Sequence, residues 1–565
     1  MEPLSDRRLS DSLGRRLAWI PLLILLGASF TQTARDTPIV AWSLRGSAAV
    51  FALWLVWLLR SGRPLETQLF IRRPHWVQIL CHSSIYVYWG SAVDLVSDMA
   101  PLILAQIPFV YTLDLLLSWT RGRRWLLSFG PIPIVGSTNL FIWFKAPWFP
   151  LQLALMATTF LSREFLRWRR DGQDRHIFNP SGFGLALTSV ALLATGSTGL
   201  TYGPEIATTL ARPHYIFPLI FLTGLVVQSL FRVGPITMGA AVTVFLGDLV
   251  WHQVTGEWIF ENETIPIAVF LGMTLLVTDP ATSPRRSMGK LIYGILYGLA
   301  VFPLFLVLQA FGIPAFYDKL LQVPVLNLML PWIERVADRI PVPAVFNRLA
   351  GGRLNAVHVA VWAGIFTFML PSLMHHPGQD PAYWTPRCLA GNTRSCANLR
   401  VLMQARCDAR PAEVCLEFGD QLASGKLFAT DEPGAVVAYG KACRAGVARG
   451  CAMLAIAQSE GRGGLSPDPA IAAALRRRAC EAGDESSCVE LASGLMDGRD
   501  VPRDPEAAVA LLRGACDRGQ ASPCAVLGYI YSNGQGVAAD PVAGRRYTQM
   551  ACERGLQAAC GAGGR

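Results

Sequence analysis

Apolar residues fill the first two thirds of the chain in long blocks, near residues 17–31, 44–59, 76–95, 100–119, 126–144, 148–166, 181–200, 214–231, 234–252, 264–279, 290–313 and 354–374. Blocks of this kind predict bilayer-crossing helices, because about 20 residues rising 1.5 Å each cover a hydrocarbon core of roughly 30 Å. The first block is short and lacks a signal-peptide cleavage pattern, so it reads as an anchor. Leu320–Ile333 predicts one more crossing or re-entrant segment, interrupted by Pro324 and Pro331. Beyond residue 380 the long apolar blocks stop and a shorter rhythm begins. Cys407, Cys443, Cys480, Cys516 and Cys552 recur at 36 or 37 residues, a period at which a helix-turn-helix unit repeats. Each of the last four is followed three positions later by glycine (Gly446, Gly483, Gly519, Gly555), where a helix end favours it. The expected fold class is all-α: a polytopic helical membrane domain with inverted repeats, followed by an α/α solenoid.

Composition agrees with this division. The chain has 565 residues, 52% hydrophobic and only 16% charged, with mean hydropathy +0.35. Its net charge of +10 would suit nucleic acid only if the basic residues formed a polar surface. They instead cluster between apolar blocks, as in Arg72 and Arg73, Arg121, Arg123 and Arg124, and Arg163, Arg167, Arg169 and Arg170. Such clusters mark cytoplasmic loops, so the lipid bilayer is a partner and nucleic acid is not. Sixteen tryptophans, many at block ends, read as interfacial belts. Counting crossings from a cytoplasmic N-terminus, the Leu320–Ile333 segment places Arg335, Arg339, Arg348 and Arg353 inside and the C-terminal region outside. The expected location is a bacterial inner membrane, multi-pass, with a periplasmic tail.

Twelve of the 13 cysteines form six pairs with one spacing: Cys388/Cys396, Cys407/Cys415, Cys443/Cys451, Cys480/Cys488, Cys516/Cys524 and Cys552/Cys560. On one continuous helix, residues eight apart are separated by roughly 12 Å, whereas a disulfide needs Cα atoms about 4.4–6.8 Å apart. The chain must therefore turn within each pair. Structural zinc favours closer spacing and nearby histidine, and this region has only His376 at its start. Reduced cysteines packing as small apolar residues are the bland alternative. Six identical spacings favour disulfides, which persist outside the cytosol.

The run Cys524-Ala525-Val526-Leu527-Gly528-Tyr529-Ile530-Tyr531, followed by Gly534-Gln535-Gly536-Val537 and Asp540-Pro541, resembles Sel-one-like repeats, relatives of the tetratricopeptide class. Leu491, Gly498, Val501 and Asp504-Pro505 repeat the pattern one unit earlier. The resemblance implies a scaffold for protein–protein interaction, with an envelope protein as partner.

Two proline-centred polar breaks interrupt the apolar part: His176-Ile177-Phe178-Asn179-Pro180-Ser181-Gly182-Phe183-Gly184 and Thr278-Asp279-Pro280-Ala281-Thr282-Ser283-Pro284. Taken alone, they read as helix caps or as broken helix ends meeting near a site. With Gly289-Lys290-Leu291-Ile292-Tyr293-Gly294, they resemble the membrane subunits RnfD and NqrB over roughly residues 75–315. That resemblance implies an inverted-repeat fold, a place in an ion-translocating electron-transport complex beside other membrane subunits, and flavin mononucleotide (FMN). In the family FMN is esterified to threonine in a Ser/Asp-Gly-Ala-Thr motif, which is absent from this chain. Thr208 and Thr209 stand nearest to the flavinylated position. Asn179, Ser181, Thr278, Asp279 and Thr282 complete the expected flavin-binding set, covalent or noncovalent. Asp114, deep in its apolar block, is the candidate for an ion pathway. No metal site is expected, and no residue is marked as catalytic. The expected divisions are 1–75, an N-terminal extension; 76–315, the RnfD/NqrB-like domain; 316–380, further membrane segments and linker; and 381–565, the repeats. The expected role is a component of a membrane oxidoreductase; the alternative is a non-redox scaffold or small-solute channel.

Overall fold

A computed structural model describes residues 5–170, 172–211, 215–260, 263–313, 315–341, 352–409 and 413–561; the side chains of Ser5, Gln173, Thr208, Ala315 and Ala409 lie outside that description. The chain divides into two compact units, residues 1–377 and 378–565.

The first unit is built from α1 (Pro38–Arg60), α2 (Arg73–Gly90), α3 (Asp94–Thr120), α4 (Pro131–Asn139), α5 (Phe149–Phe165), α6 (Pro180–Ala194), α7 (Ile216–Phe231), α8 (Gly234–Thr255), α9 (Ile267–Leu276), α10 (Ser287–Ala310), α11 (Asp318–Arg339) and α12 (Gly352–Met374). Among the described residues, five helices are long and apolar enough to cross a membrane: α1, α3, α8, α10 and the one beginning at Gly352. Leu53, Leu80, Val87, Val254, Phe311 and Phe368 point outward, an apolar mantle larger than a water-exposed surface tolerates.

Several predicted blocks are not single helices. Residues 126–144 begin in a strand, continue as the nine-residue α4 and finish extended, while 264–279 contains only the ten-residue α9, whose second half is a π turn. Pro131 and Pro133 restrict helix initiation to the start of α4, and Asp279-Pro280 ends the second segment. Conversely, Leu320–Ile333 lies in a continuous 22-residue helix despite Pro324 and Pro331. Arg348 and Glu261 lie outside the described residues.

The two halves pack in one order. α2 meets α4, α3 meets α5 and α5 meets α6; likewise α7 meets α9, α8 meets α10 and α10 meets α11. Across the halves, α2 packs on α7 and α6 on α11. The two five-helix halves therefore correspond helix for helix. The start of α6, Asn179-Pro180, corresponds to the start of α11, Tyr317-Asp318, rather than to Thr278-Asp279. The similarity of the two Pro breaks is local capping chemistry, whereas correspondence is decided by packing order.

The sequence reading also missed five short strands. β1 (Ser5–Leu9) pairs antiparallel with β2 (Thr67–Ile71), which pairs parallel with β3 (Trp125–Leu127); β4 (Arg167–Arg170) and β5 (Gln173–His176) form a hairpin. They lie in the arginine-rich loops, where alternation is too short to register as a strand signal.

The second unit is a run of paired helices. Asp431, Asp468, Asp504 and Asp540 cap the helices Glu432–Arg444, Pro469–Glu481, Pro505–Asp517 and Pro541–Glu553, each accepting backbone N–H bonds from the first turn. Gly446, Gly483, Gly519 and Gly555 have φ of 91°, 111°, 98° and 95°, so the turn after each helix relies on a residue without Cβ. The chain reverses within every cysteine pair, as the spacing requires. Cys388–Cys396, Cys407–Cys415, Cys443–Cys451, Cys480–Cys488, Cys516–Cys524 and Cys552–Cys560 are all disulfide-bonded, with Cα separations of 4.4–4.9 Å. Leu491, Leu512, Leu527, Cys516 and Cys524 are buried between successive helices, so each repeat completes its neighbour's core.

Candidate functional site

The arginine-rich loops, drawn together by the strands, close over a cavity of about 510 Å³, within the range of roughly 300–1,000 Å³ usual for small-molecule sites. Its wall includes Asn179, Pro180 and Ser181 from the first polar break and Thr278 and Asp279 from the second. Segments a hundred residues apart thus share one site. Asn179 anchors the first: its Oδ1 accepts from Gly182 N and Ser181 Oγ at 2.9 Å, and its Nδ2 donates to the Leu276 carbonyl at 2.7 Å. One side chain therefore caps α6 and ties it to the end of α9. Asp279 accepts from Ala281 N and Thr282 Oγ1 at 3.0 Å, and its Oδ2 lies 3.2 Å from His176 Nε2. Thr282 stands behind Asp279 and touches the cavity only through it.

Electrostatically the wall is cationic. Arg72, Arg123, Arg124, Arg163 and Arg167 face Asp114, Glu164 and Asp279, an excess of two positive charges with His75, His82 and His176 neutral. Several are held in place: Arg123 pairs with Glu164 at 2.9 Å, Arg167 with Asp174 at 2.8 Å, and Arg72 stacks over Phe70 at 4.4 Å. Asp114 lines the cavity as the ion-pair partner of Arg163, which satisfies its charge. A fixed guanidinium cluster of this kind suits phosphate or carboxylate groups, which it can bind in a bidentate manner. Phe70, Leu126, Val227 and Leu275 add apolar wall on which a planar ring can lie.

Thr209 is elsewhere. It sits on the helix Gly203–Leu210, beyond the far end of α6, buried with its hydroxyl 3.4 Å from the Ile206 carbonyl. At 15 residues, α6 separates that helix from the cavity by about 22 Å. The Thr208 side chain lies outside the described residues. The expected flavin set thus divides into a cavity group and a remote threonine pair.

Sequence reasoning missed Arg123, Arg124, Arg163, Glu164 and His82 as site residues. Their signal was present as charge clustering, but charge clustering alone reads equally as loop anchoring. Cys81 and His82 are buried and also line the cavity.

In the repeat unit the polar contacts serve stacking. Glu485 accepts from the backbone N–H of Ala521 at 3.0 Å and of Ser522 at 2.9 Å, capping a helix 36 residues onward. Burial alone would raise the Glu485 carboxyl, but these bonds outweigh it and hold the group below its ordinary range. Arg554 reaches back to the Cys516 carbonyl and lies 2.7 Å from Cys524 Sγ, packing one repeat's guanidinium on the preceding disulfide.

No curated protein matches the sequence. Among solved structures, the chain is similar to a Sel1 repeat protein from Oxalobacter formigenes at 19% identity, covering 35% of this chain and 82% of the other, with a TM-score of 0.27. It is also similar to c5321, a protective antigen of uropathogenic Escherichia coli strains displaying an SLR fold, at 18% identity over 41% of this chain and 50% of the other, again with a TM-score of 0.27. Residues 448–484, 486–520 and 524–556 match the Sel1 repeat. The C-terminal unit therefore carries Sel1 repeats, which serve protein–protein interaction, on disulfides that fit an oxidising, extracytoplasmic compartment.

Proposed function

We propose that this chain is a membrane subunit of an electron-transport complex, resembling RnfD and NqrB, that holds a flavin noncovalently in the arginine-rich cavity and recruits an envelope protein through its repeats. The reading is carried by the convergence of Asn179, Ser181, Thr278 and Asp279 on one cavity with five arginines. The residues present fit such a group: Arg123 and Arg124 at the mouth suit its phosphate, and Leu275, Val227 and Phe70 suit its ring. Asn179 and Asp279 are held by their own networks, so they keep the wall in shape without rearrangement on binding. A bound flavin would supply one- and two-electron exchange. The arginine face lies on the cytoplasmic side under the positive-inside rule. With α11 as an added crossing, the repeats fall in the periplasm of a bacterial inner membrane. Other membrane subunits of the complex would cover part of the apolar mantle.

The test is the visible absorption spectrum of the purified full chain with flavin supplied. Yellow absorption released on denaturation is the expected result, and Arg123→Ala with Arg124→Ala should weaken retention about tenfold for each charge-assisted hydrogen bond removed. A denatured band that stays fluorescent would move attachment to Thr208 or Thr209. A colourless protein would replace this reading with the non-redox scaffold or solute channel, which the missing Ser/Asp-Gly-Ala-Thr motif favours.

A further inference from the structure

Two arginines lie inside the apolar blocks of the sequence, Arg45 in 44–59 and Arg163 in 148–166. Arg163 meets Asp114. Arg45 meets no carboxylate among the described residues, although a cation within an apolar segment is costly unless an anion or water satisfies it. The helices Asp11–Leu17 and Trp19–Ala28 run antiparallel to α1. At one end of this hairpin Arg15 Nη2 donates to the Arg63 carbonyl at 3.2 Å, and at the other Arg45 Nε donates to Ser29 Oγ at 3.3 Å. Arg45 therefore stands about 10 Å along α1 from its Pro38 end. With the N-terminus cytoplasmic, that end faces the periplasm. Loop anchoring accounts for arginines on the cytoplasmic face and leaves this one unexplained.

The guanidinium is fixed in place. It lies 4.9 Å from the Phe30 ring and 6.0 Å from the Trp42 ring, within reach of cation–π attraction to both. The buried Ser29 hydroxyl that holds Nε is itself held, donating to the Leu26 carbonyl at 2.7 Å. A snorkelling arginine extends its head freely towards water, whereas this one is tied at its inner nitrogen and stacked on rings. Its two outer Nη groups donate to no protein atom among the described residues, and neither does the Trp42 indole N–H. Arg35 borders the same place, donating from Nε to the Phe30 carbonyl at 3.1 Å; Asp36 pairs with neither arginine.

The surface around these donors is apolar and open. Phe30 is 57% and Trp42 68% exposed. Trp42, Arg45, Ala49 and Leu53 follow at steps of three and four residues along one face of α1, and Leu23 and Leu26 are exposed on the helix beside it. We propose that Arg45, with Arg35, Phe30 and Trp42, binds the phosphate of an anionic phospholipid, phosphatidylglycerol, in the outer leaflet. The Nη fork and the Trp42 N–H donate to the phosphodiester oxygens, and an acyl chain lies along the stripe towards Leu53. Charge complementarity selects this occupant: two guanidiniums favour a headgroup with a net negative charge over a zwitterion that brings its own ammonium. The site shares no residue with the arginine-rich cavity and does not rest on the flavin reading.

The experiment titrates the purified full chain in detergent with phosphatidylglycerol and, separately, with phosphatidylethanolamine, and counts bound lipid by native mass spectrometry. One phosphatidylglycerol held about tenfold more tightly than phosphatidylethanolamine is expected. Arg45→Gln should weaken it about tenfold, the size of one charge-assisted hydrogen bond. Trp42→Phe, which keeps a ring and loses the N–H, should weaken it about threefold and stays informative if Arg45→Gln fails to fold. Arg60→Gln, at the opposite end of α1, should leave it unchanged. Equal retention of the two lipids, unaltered binding in folded Arg45→Gln, or an equal loss in Arg45→Gln and Arg60→Gln overturns the site in favour of general charge attraction. Displacement of the lipid by an equal concentration of inorganic phosphate overturns the phospholipid as its occupant.

Discussion

The two units solve the same problem, holding helices together, in opposite ways. In the apolar unit the contacts are long-range: Asn179 meets Asn327 and Leu276, and Arg170 meets Glu334 across 164 residues. In the repeat unit each disulfide closes eight residues of sequence, and each Asp cap serves the next few residues. Local staples make a repeat legible and nearly independent of its distant neighbours. Long-range ties make a cavity, because a site needs walls from several segments at once. The comparison teaches that regular local chemistry marks scaffold, whereas irregular polar residues converging from afar mark the candidate site.

The largest expected effect separates the two units. Reducing all six disulfides, from Cys388–Cys396 to Cys552–Cys560, should unfold the repeats and leave the apolar unit folded. Each link closes a loop of about nine residues, worth about 2.5 kcal/mol in the chain-entropy estimate. Limited proteolysis of the full chain with and without reductant checks this. New cleavage confined to residues beyond 378 is expected, and equal cleavage of both units would break the contrast.

Asp279→Ala sharpens it from the other side. Asp279 satisfies Ala281 N, Thr282 Oγ1 and His176 at once, so its loss should cost about 1–3 kcal/mol by leaving buried donors unpaired. Thermal melting in detergent should show a lower midpoint for the apolar unit with repeat proteolysis unchanged. An unshifted midpoint would reduce Asp279 to a surface cap.

The smallest effect is a pH dependence between repeats. Glu485 is held below its ordinary range, so its contribution is present above the ordinary Glu value of about 4.3 and lost as pH falls through the depressed folded value. Repeat stability, read by proteolysis with an acid-tolerant protease, should drop on acidification through that window, and Glu485→Gln should flatten the drop. An identical acid response in the variant would remove Glu485 as the coupling group.

Much of this was readable in advance, for physical reasons that differ by region. Cys516 and Cys524, Gly519 and Asp504-Pro505 declare turn, staple and cap within a few residues, and the fold follows them closely. In the apolar unit, blocks of hydrophobicity located most helices but not their ends. Residues 126–144 and 264–279 contain only short helices, because proline placement and packing, rather than hydropathy, set where a helix stops. Asn179 and Asp279 were visible as breaks; that they share one cavity was not.

By itself, the sequence determined that the chain has an apolar helical part and a disulfide-stapled repeat part, since periodicity, hydropathy and cysteine spacing act over a turn or two of helix. Only the tertiary structure decided that Arg123, Arg163, Asn179 and Asp279 surround one cavity, and that Asp318 and Lys319 are buried at the mirrored position. Burial and convergence depend on which distant helices pack together, and no local pattern encodes that pairing.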